Sequence, residues 1–340
     1  MTLPAKPNNK HPNTMPTEIY SEKLRDKLIS KEGRFLITNF KNSSQENDIS
    51  DGTNCEGFGR IHHFKYDRGT NWIPNPLPQE VAGWRLGVKT NSVERAQVFQ
   101  LAGCNWRCWY CFVDYSLLSA NTQHSKYFNA GELLDLFLKE KDQTKIIDLS
   151  GGQPDLAPEW SVKMMRSLQE KGLDNQYFLW IDDNLSIDYA WKYIKREDFE
   201  LMKNFTNFGR VGCFKGFSPA SFQENTLAHR SLFERQFDIL SRWIKTGIDV
   251  YGYITLTTSS MDGMRTALKL FMDRVQNELG EHFLLRTIPL EVTKFKPLLP
   301  RIKSSQENAL KNQYDVLSSW KDELQTRYSR RELQLPIYRT

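Results

Sequence analysis

From about residue 93 onward, short β-branched and aromatic runs alternate with longer stretches whose apolar positions recur every three or four residues. The runs at 97–101, 145–149, 177–181, 209–214, 249–256 and 283–288 have the length and composition of strands. The intervals between them carry helix signals. Asn129 precedes Glu132 at capping-box spacing, ahead of Leu133, Leu134, Phe137 and Leu138. Pro158 opens a second helix near its first turn, and Gly172 follows its end. Phe233, Phe237, Leu240 and Ile244 mark one face of a third, which Gly247 closes. Six strand–helix units imply parallel strands joined by right-handed crossovers. That is too few for eight units, so the expected class is α/β, a partial, incompletely closed (β/α)6 TIM-like barrel over 92–298.

A further helix is expected within 299–340. Ser304-x-x-Glu307 has the capping-box pattern, and Leu310, Tyr314, Leu317, Trp320 and Leu324 follow at helical spacing. This helix should pack back on the body. At the other end, 1–16 is rich in Pro and Asn without apolar periodicity and reads as a disordered arm. Residues 17–91 read as an N-terminal extension without clear elements. Within it, Phe58, His62, His63, Phe64, Tyr66 and Trp72 interleave with basic residues, a composition that suits a lid over the barrel mouth.

Composition narrows the function. With 46 basic and 41 acidic residues the net charge is +5, too mild for a general nucleic-acid binder. The apolar fraction of 39% builds a large core but leaves no unbroken span of about 20 apolar residues. No membrane role and no secretory signal are expected. Five cysteines are sparse, so disulfides are not expected and a reducing cytoplasm is.

Three of those five lie within eight residues. LAGCNWRCWYCF sets Cys104, Cys108 and Cys111 in a C-x3-C-x2-C spacing just after the first expected strand. Three thiolates so close suit a soft metal or a cluster, since disulfides among them would be strained. Zinc needs a fourth ligand, and Cys55, His62 or His63 could supply only a distant one. A four-iron cluster on three cysteines leaves one iron without a protein ligand. A zinc-stabilised binding module and plain electron transfer are the competing readings at this point.

The cysteine spacing, with Tyr110 just before the third cysteine, resembles the signature of the radical S-adenosylmethionine superfamily. Leu149-Ser150-Gly151-Gly152-Gln153-Pro154 ends the second strand, where that family carries Gly-Gly-Glu-Pro. The resemblance covers about 96–293. It is to single-cluster members, of the organic-radical-activating group that includes pyruvate formate-lyase activators. Two departures stand out: Gln153 replaces Glu, and Phe112 follows Cys111 where many glycyl-radical-activating members have His-Asn. No cysteine follows Cys213, so the resemblance implies one cluster.

The resemblance implies a 4Fe-4S cluster on Cys104, Cys108 and Cys111 that reductively cleaves S-adenosyl-L-methionine to methionine and a hydrogen-abstracting 5′-deoxyadenosyl radical. An external one-electron reductant of flavodoxin or ferredoxin type is implied as partner. The substrate could be a small organic molecule, a nucleotide or a protein, including a glycyl-radical partner. Tyr110, Gly151, Gly152, Gln153 and Pro154 fall on the cofactor motifs. Asp183 or Asn184 could bond ribose hydroxyls or cap the helix near Ser186. Lys215, in a stretch resembling Leu-Lys-Gly, could face the cofactor carboxylate or ribose, or be a surface lysine. Thr255 and Thr257 could line the adenosine site or simply serve the strand. Cys213 and Arg286 are the catalytic candidates; an inert buried thiol and a salt bridge across the barrel mouth are their plainer readings. Trp106 and Trp109 should shield the cluster from water.

Overall fold

In the computed structural model, residues 17–43, 45–46, 51–66, 69 and 71–340 are described; the expected arm at 1–16 lies outside them. The strands are β1 (Phe35–Thr38), β2 (Thr53–Asn54), β3 (Gly59–His63), β4 (Arg95–Val98), β5 (Ser125–Phe128), β6 (Ile146–Leu149), β7 (Phe178–Asp183), β8 (Phe208–Phe214), β9 (Val250–Thr255) and β10 (Thr287–Leu290). The helices are α1 (Thr17–Leu28), α2 (Gln79–Leu86), α3 (Ala130–Leu138), α4 (Glu159–Glu170), α5 (Tyr189–Tyr193), α6 (Arg196–Asn204), α7 (Pro219–Thr226), α8 (Phe233–Lys245), α9 (Met264–Leu279) and α10 (Ser304–Arg327).

Eight strands form one sheet in the order β10-β9-β8-β7-β6-β4-β3-β2. The six from β4 to β10 are parallel, as the alternating pattern predicts, while β3 and β2 extend the β4 edge antiparallel. The sheet is open, with β10 and β2 at its two ends. Chain-local signals hold where expected. Asn129 and Glu132 form the capping box of α3, and Pro158 stands at the start of α4. Several boundaries move: the first parallel strand is Arg95–Val98 in place of 97–101, and two others bear on the argument. Residues 283–286 form a 3-10 turn, so the sixth parallel strand starts only at Thr287. At α10 the cap sits one residue earlier than Ser304: Lys303 N donates to Gln306 Oε1 at 3.2 Å.

Alternation along each parallel strand separates two faces. On the inner face, Ala96, Ile146, Phe178, Trp180, Val211, Cys213, Tyr251 and Tyr253 pack with Leu77, Val81 and Ala82 at the start of α2. On the outer face, Ile147, Leu149, Leu179, Ile181, Phe214 and Ile254 pack under the crossover helices. Helix α2 covers the end where the parallel strands begin, for Arg85 pairs with Asp249, just before β9, at 3.1 Å.

The N-terminal segment is structured, contrary to its irregular pattern. Strands β1 and β5 pair antiparallel beyond the end of β4, where Thr38 N donates to Gln100 O and Ala102 N to Leu36 O, both at 2.9 Å. The described end of the aromatic stretch lies against β9 and β10: Trp72 Nε1 donates to Pro289 O at 2.9 Å, and Asn75 Nδ2 to Tyr253 Oη at 3.2 Å. No helix among the described residues is long and apolar enough to cross a membrane, and all five cysteines are free thiols.

The fully buried Leu77 joins α2 to the inner face. Leu77→Ala should cost about 2–5 kcal/mol, read as a lower urea midpoint with an unchanged slope; an unchanged midpoint would show that α2 is not held from this side.

Candidate functional site

The cysteine loop leaves β4 and turns back over the strand ends with its carbonyls held by side chains. Arg107 Nη1 donates to Cys104 O at 2.6 Å and Trp106 O at 2.9 Å. Tyr115 Oη donates to Cys108 O at 2.8 Å. Arg301, just before α10, donates to Cys111 O at 2.7 Å and Val113 O at 2.9 Å. Charge-assisted bonds to backbone of this kind fix a loop that has no secondary structure of its own. Trp106 and Trp109 of the loop are buried, and Trp109 Nε1 donates to Asn225 Oδ1 at 3.1 Å.

The Gly-Gly turn docks on this loop by backbone contact. Gly151 and Gly152 adopt φ of +81° and +70°, open to glycine at little cost. A Cβ on Gly152 would lie 2.2 Å from Leu101 O and 2.7 Å from Gly103 O, and a Cβ on Gly151 would meet Gln100 Oε1 at 2.4 Å. Gln153 N donates to Gly103 O at 2.7 Å, tying the turn to the residue before Cys104. The glutamine side chain bridges onward: Nε2 donates to Asp183 Oδ1 at 2.7 Å, and Oε1 accepts from Asn184 N at 2.9 Å. Asp183 also bonds Arg210 at 3.0 Å, which reaches Asp155, beyond Pro154, at 2.8 Å and stacks on Trp243. This buried cluster explains the departure at 153. Glutamine can donate to the Asp183 carboxylate; glutamate would face it with a second negative charge.

The three thiols stand within electrostatic reach of one another at the ends of the parallel strands. Burial pushes the Cys108 thiol up to about 12, against the pull of Lys215, and raises Cys111 as well. Asn184 Nδ2 lies 3.5 Å from Cys104 Sγ. Lys215 is half-buried beside Cys213, Tyr110, Cys108 and Cys104; burial disfavours its ammonium, but these neighbours outweigh that and hold its pKa above the usual lysine value. Among the described residues, no three His, Cys, Asp or Glu side chains converge as a set around a single ion. Three thiols within electrostatic reach of one another, with a cation beside them, are a donor set that would suit a cluster whose ligands bind separate irons.

The other expected residues divide by face. Thr255 Oγ1 donates to Tyr110 Oη at 3.0 Å, while Thr257 Oγ1 is committed to Asn225 Oδ1 at 2.7 Å. Cys213 lies on the inner face with its thiol pushed up to about 12 by burial. Asp183 is taken up by Gln153 and Arg210, and Asn184 Oδ1 accepts from Ser186 N within a turn, since the helix expected near Ser186 begins only at Tyr189. Arg286 pairs with Asp249 where the strands begin, at the end opposite the mouth where a salt bridge was expected, because it precedes β10 instead of lying within it. The sequence reading passed over the inner-face charges Arg60, Asp148 and Asp182. Period-two counting from Trp180 would have put Asp182, and not Asp183, on that face.

Comparison with known proteins adds little. No family model matches the chain, and no curated protein matches it. Among solved structures, Streptococcus suis SuiB bound to S-adenosylmethionine is 14% identical with a TM-score of 0.48, covering 67% of this chain and 47% of that one. anSMEcpe with bound AdoMet and Cp18Cys peptide is 16% identical with a TM-score of 0.38, covering 63% and 56%. TsrM from Kitasatospora setae, a radical S-adenosylmethionine methyltransferase with cobalamin and a 4Fe-4S cluster bound, is 14% identical with a TM-score of 0.34, covering 50% and 33%. This chain thus spans about half or less of SuiB and TsrM, and likeness at this level carries no chemistry across.

Gln153→Glu should destabilise the protein by about 2–3 kcal/mol, the worth of a buried bond to a charged group. In an Asp183→Asn background the same change should cost less, read by thermal denaturation as a double-mutant cycle; equal costs in both backgrounds would disconnect the two side chains.

Proposed function

We propose that the chain is a radical S-adenosylmethionine enzyme, with Cys104, Cys108 and Cys111 holding a 4Fe-4S cluster at the mouth of a partial (β/α)6 barrel. The observation that supports this most strongly is the direct docking of the cysteine loop on the Gly151–Gly152 turn, through Gln153 N to Gly103 O at 2.7 Å. A three-thiol set pressed against a glycine turn with open backbone is an arrangement suited to a cluster and a ligand that chelates it. When bound, the cofactor pair supplies reductive cleavage of S-adenosylmethionine and hydrogen abstraction from a substrate.

The chain's own residues bind, orient and exclude water. The Lys215 ammonium, beside the thiols, neutralises anionic charge at the mouth, either of a thiolate-ligated cluster or of a methionyl carboxylate. The carbonyls of the Gly151–Gly152 turn accept from the methionyl ammonium. Tyr110, held by Thr255, forms one wall of the nucleoside site, and Asn184 steadies Cys104 through its amide. Trp106 and Trp109 keep water from beneath the cluster loop. The electron comes from an external reductant of flavodoxin or ferredoxin type.

Anaerobic reconstitution with iron and sulfide should give a brown protein that converts S-adenosylmethionine to 5′-deoxyadenosine under dithionite. Cys108→Ala should lose cluster loading and that conversion together. A colourless zinc-binding protein without cleavage would overturn the reading in favour of a zinc-stabilised module.

A further inference from the structure

Helix α1 reaches the cysteine loop through a chain of buried polar side chains. Ser21 Oγ donates to Thr17 O at 2.6 Å within the helix, which leaves its oxygen to accept from Asn105 Nδ2 at 3.0 Å. Asn105, the residue after Cys104, accepts at Oδ1 from Ser186 Oγ at 2.9 Å and from Asn184 Nδ2 at 3.2 Å. Asn184 Nδ2 also donates to Cys104 Sγ at 3.5 Å. From the neighbouring position in α1, Tyr20 Oη accepts from Arg107 Nη2 at 2.7 Å. A helix of the N-terminal extension thus holds the loop at two points close to its first cysteine.

The network fixes which way the Asn184 amide points. Its Oδ1 accepts from Ser186 N at 3.0 Å, and its backbone N donates to Gln153 Oε1 at 2.9 Å. Turned over, the amide would set Nδ2 against the Ser186 N–H and Oδ1 against Asn105 Oδ1. Asn105 is held in the same way. Turned over, its Nδ2 would face the Asn184 amino group, and its Oδ1 would face a hydroxyl already committed to Thr17 O. Ser21 and Ser186 are fully buried, and Cys104, Asn105 and Asn184 nearly so, which keeps water from competing for these bonds. The other two thiols have donors of their own: Tyr110 bonds Cys108, and the Val113 backbone bonds Cys111. The donor to Cys104 differs in being aimed by residues outside the loop.

We infer that Asn184 is a positioning residue that donates to the Cys104 sulfur in the cluster-bound protein, that the Ser21–Asn105 link aims it, and that this network raises the reduction potential of the cluster. A donor to a ligating sulfur draws off negative charge and so favours the reduced, more negative cluster. The inference rests on the cluster assignment proposed above and gives α1 a part in setting how readily that cluster accepts an electron.

Potentiometric titration of the reconstituted full chain, followed by EPR without S-adenosylmethionine, tests it. Asn184→Ala should lower the potential by about 59 mV, about a tenfold shift in the one-electron equilibrium, at unchanged iron and sulfide content. Ser21→Ala should lower it by less, although Ser21 touches no cysteine. A fully loaded Asn184→Ala protein at the original or a higher potential would overturn the inference, and so would a loaded Ser21→Ala protein at the original potential. Should Asn184→Ala fail to fold, Ser21→Ala, which removes one hydroxyl, decides alone. An unaltered chain that takes up no four-iron cluster would end both readings, whereas a cluster of unmoved potential ends this one alone.

Discussion

A single close backbone approach organises the molecule. Where the Gly151–Gly152 turn meets the chain entering the cysteine loop, the space left beside Gly152 is too small even for a methyl group, with Leu101 O 2.2 Å from where a Cβ would sit. Only glycine permits that approach, and only in the left-handed backbone that Gly152 adopts. Because both loops are thereby fixed to each other, the three thiols, the Lys215 ammonium and the inner face of the sheet share one frame.

The surroundings preserve that contact from several sides. Helix α1 places Leu28 against Gly103, and Arg25 of the same helix donates to Leu156 O just beyond the glycine turn at 2.9 Å. From the far end of the chain, Arg301 holds the cysteine loop by two carbonyls. The buried Arg210, stacked on Trp243, pulls Asp155 and Asp183 together and so anchors both ends of the turn's connections. Meanwhile α2 covers the opposite end of the sheet, where its apolar side chains and the Arg85–Asp249 and Arg286–Asp249 pairs close the start of the strands.

The six parallel strands, the α3 capping box and the two motif loops were legible because each is written in local periodicity or in a short, rigid spacing. The extension at 17–91 was not, since its short strands are defined by partners elsewhere: β1 pairs with β5 some ninety residues later, and β3 with β4. Clamps such as Arg107, Tyr115 and Arg301 leave no sequence signal, for an arginine that bonds a carbonyl looks like any surface cation. Asp183 was singled out by its place in Asp-Asp-Asn, yet strand phase gave the inner face to Asp182. Arg286 was read as lying within a strand that in fact begins after it.

On the proposed function, Cys104, Cys108 and Cys111 would hold a cluster with one iron left open to a chelating nucleoside. Electron–nuclear double resonance on the reduced, reconstituted protein tests it most directly, using S-adenosylmethionine carrying nitrogen-15 in its amino group. The account predicts a hyperfine coupling from that nitrogen, with the cluster's EPR signal shifted on addition. A cluster signal unmoved by the nucleoside, with no nitrogen coupling, would contradict it.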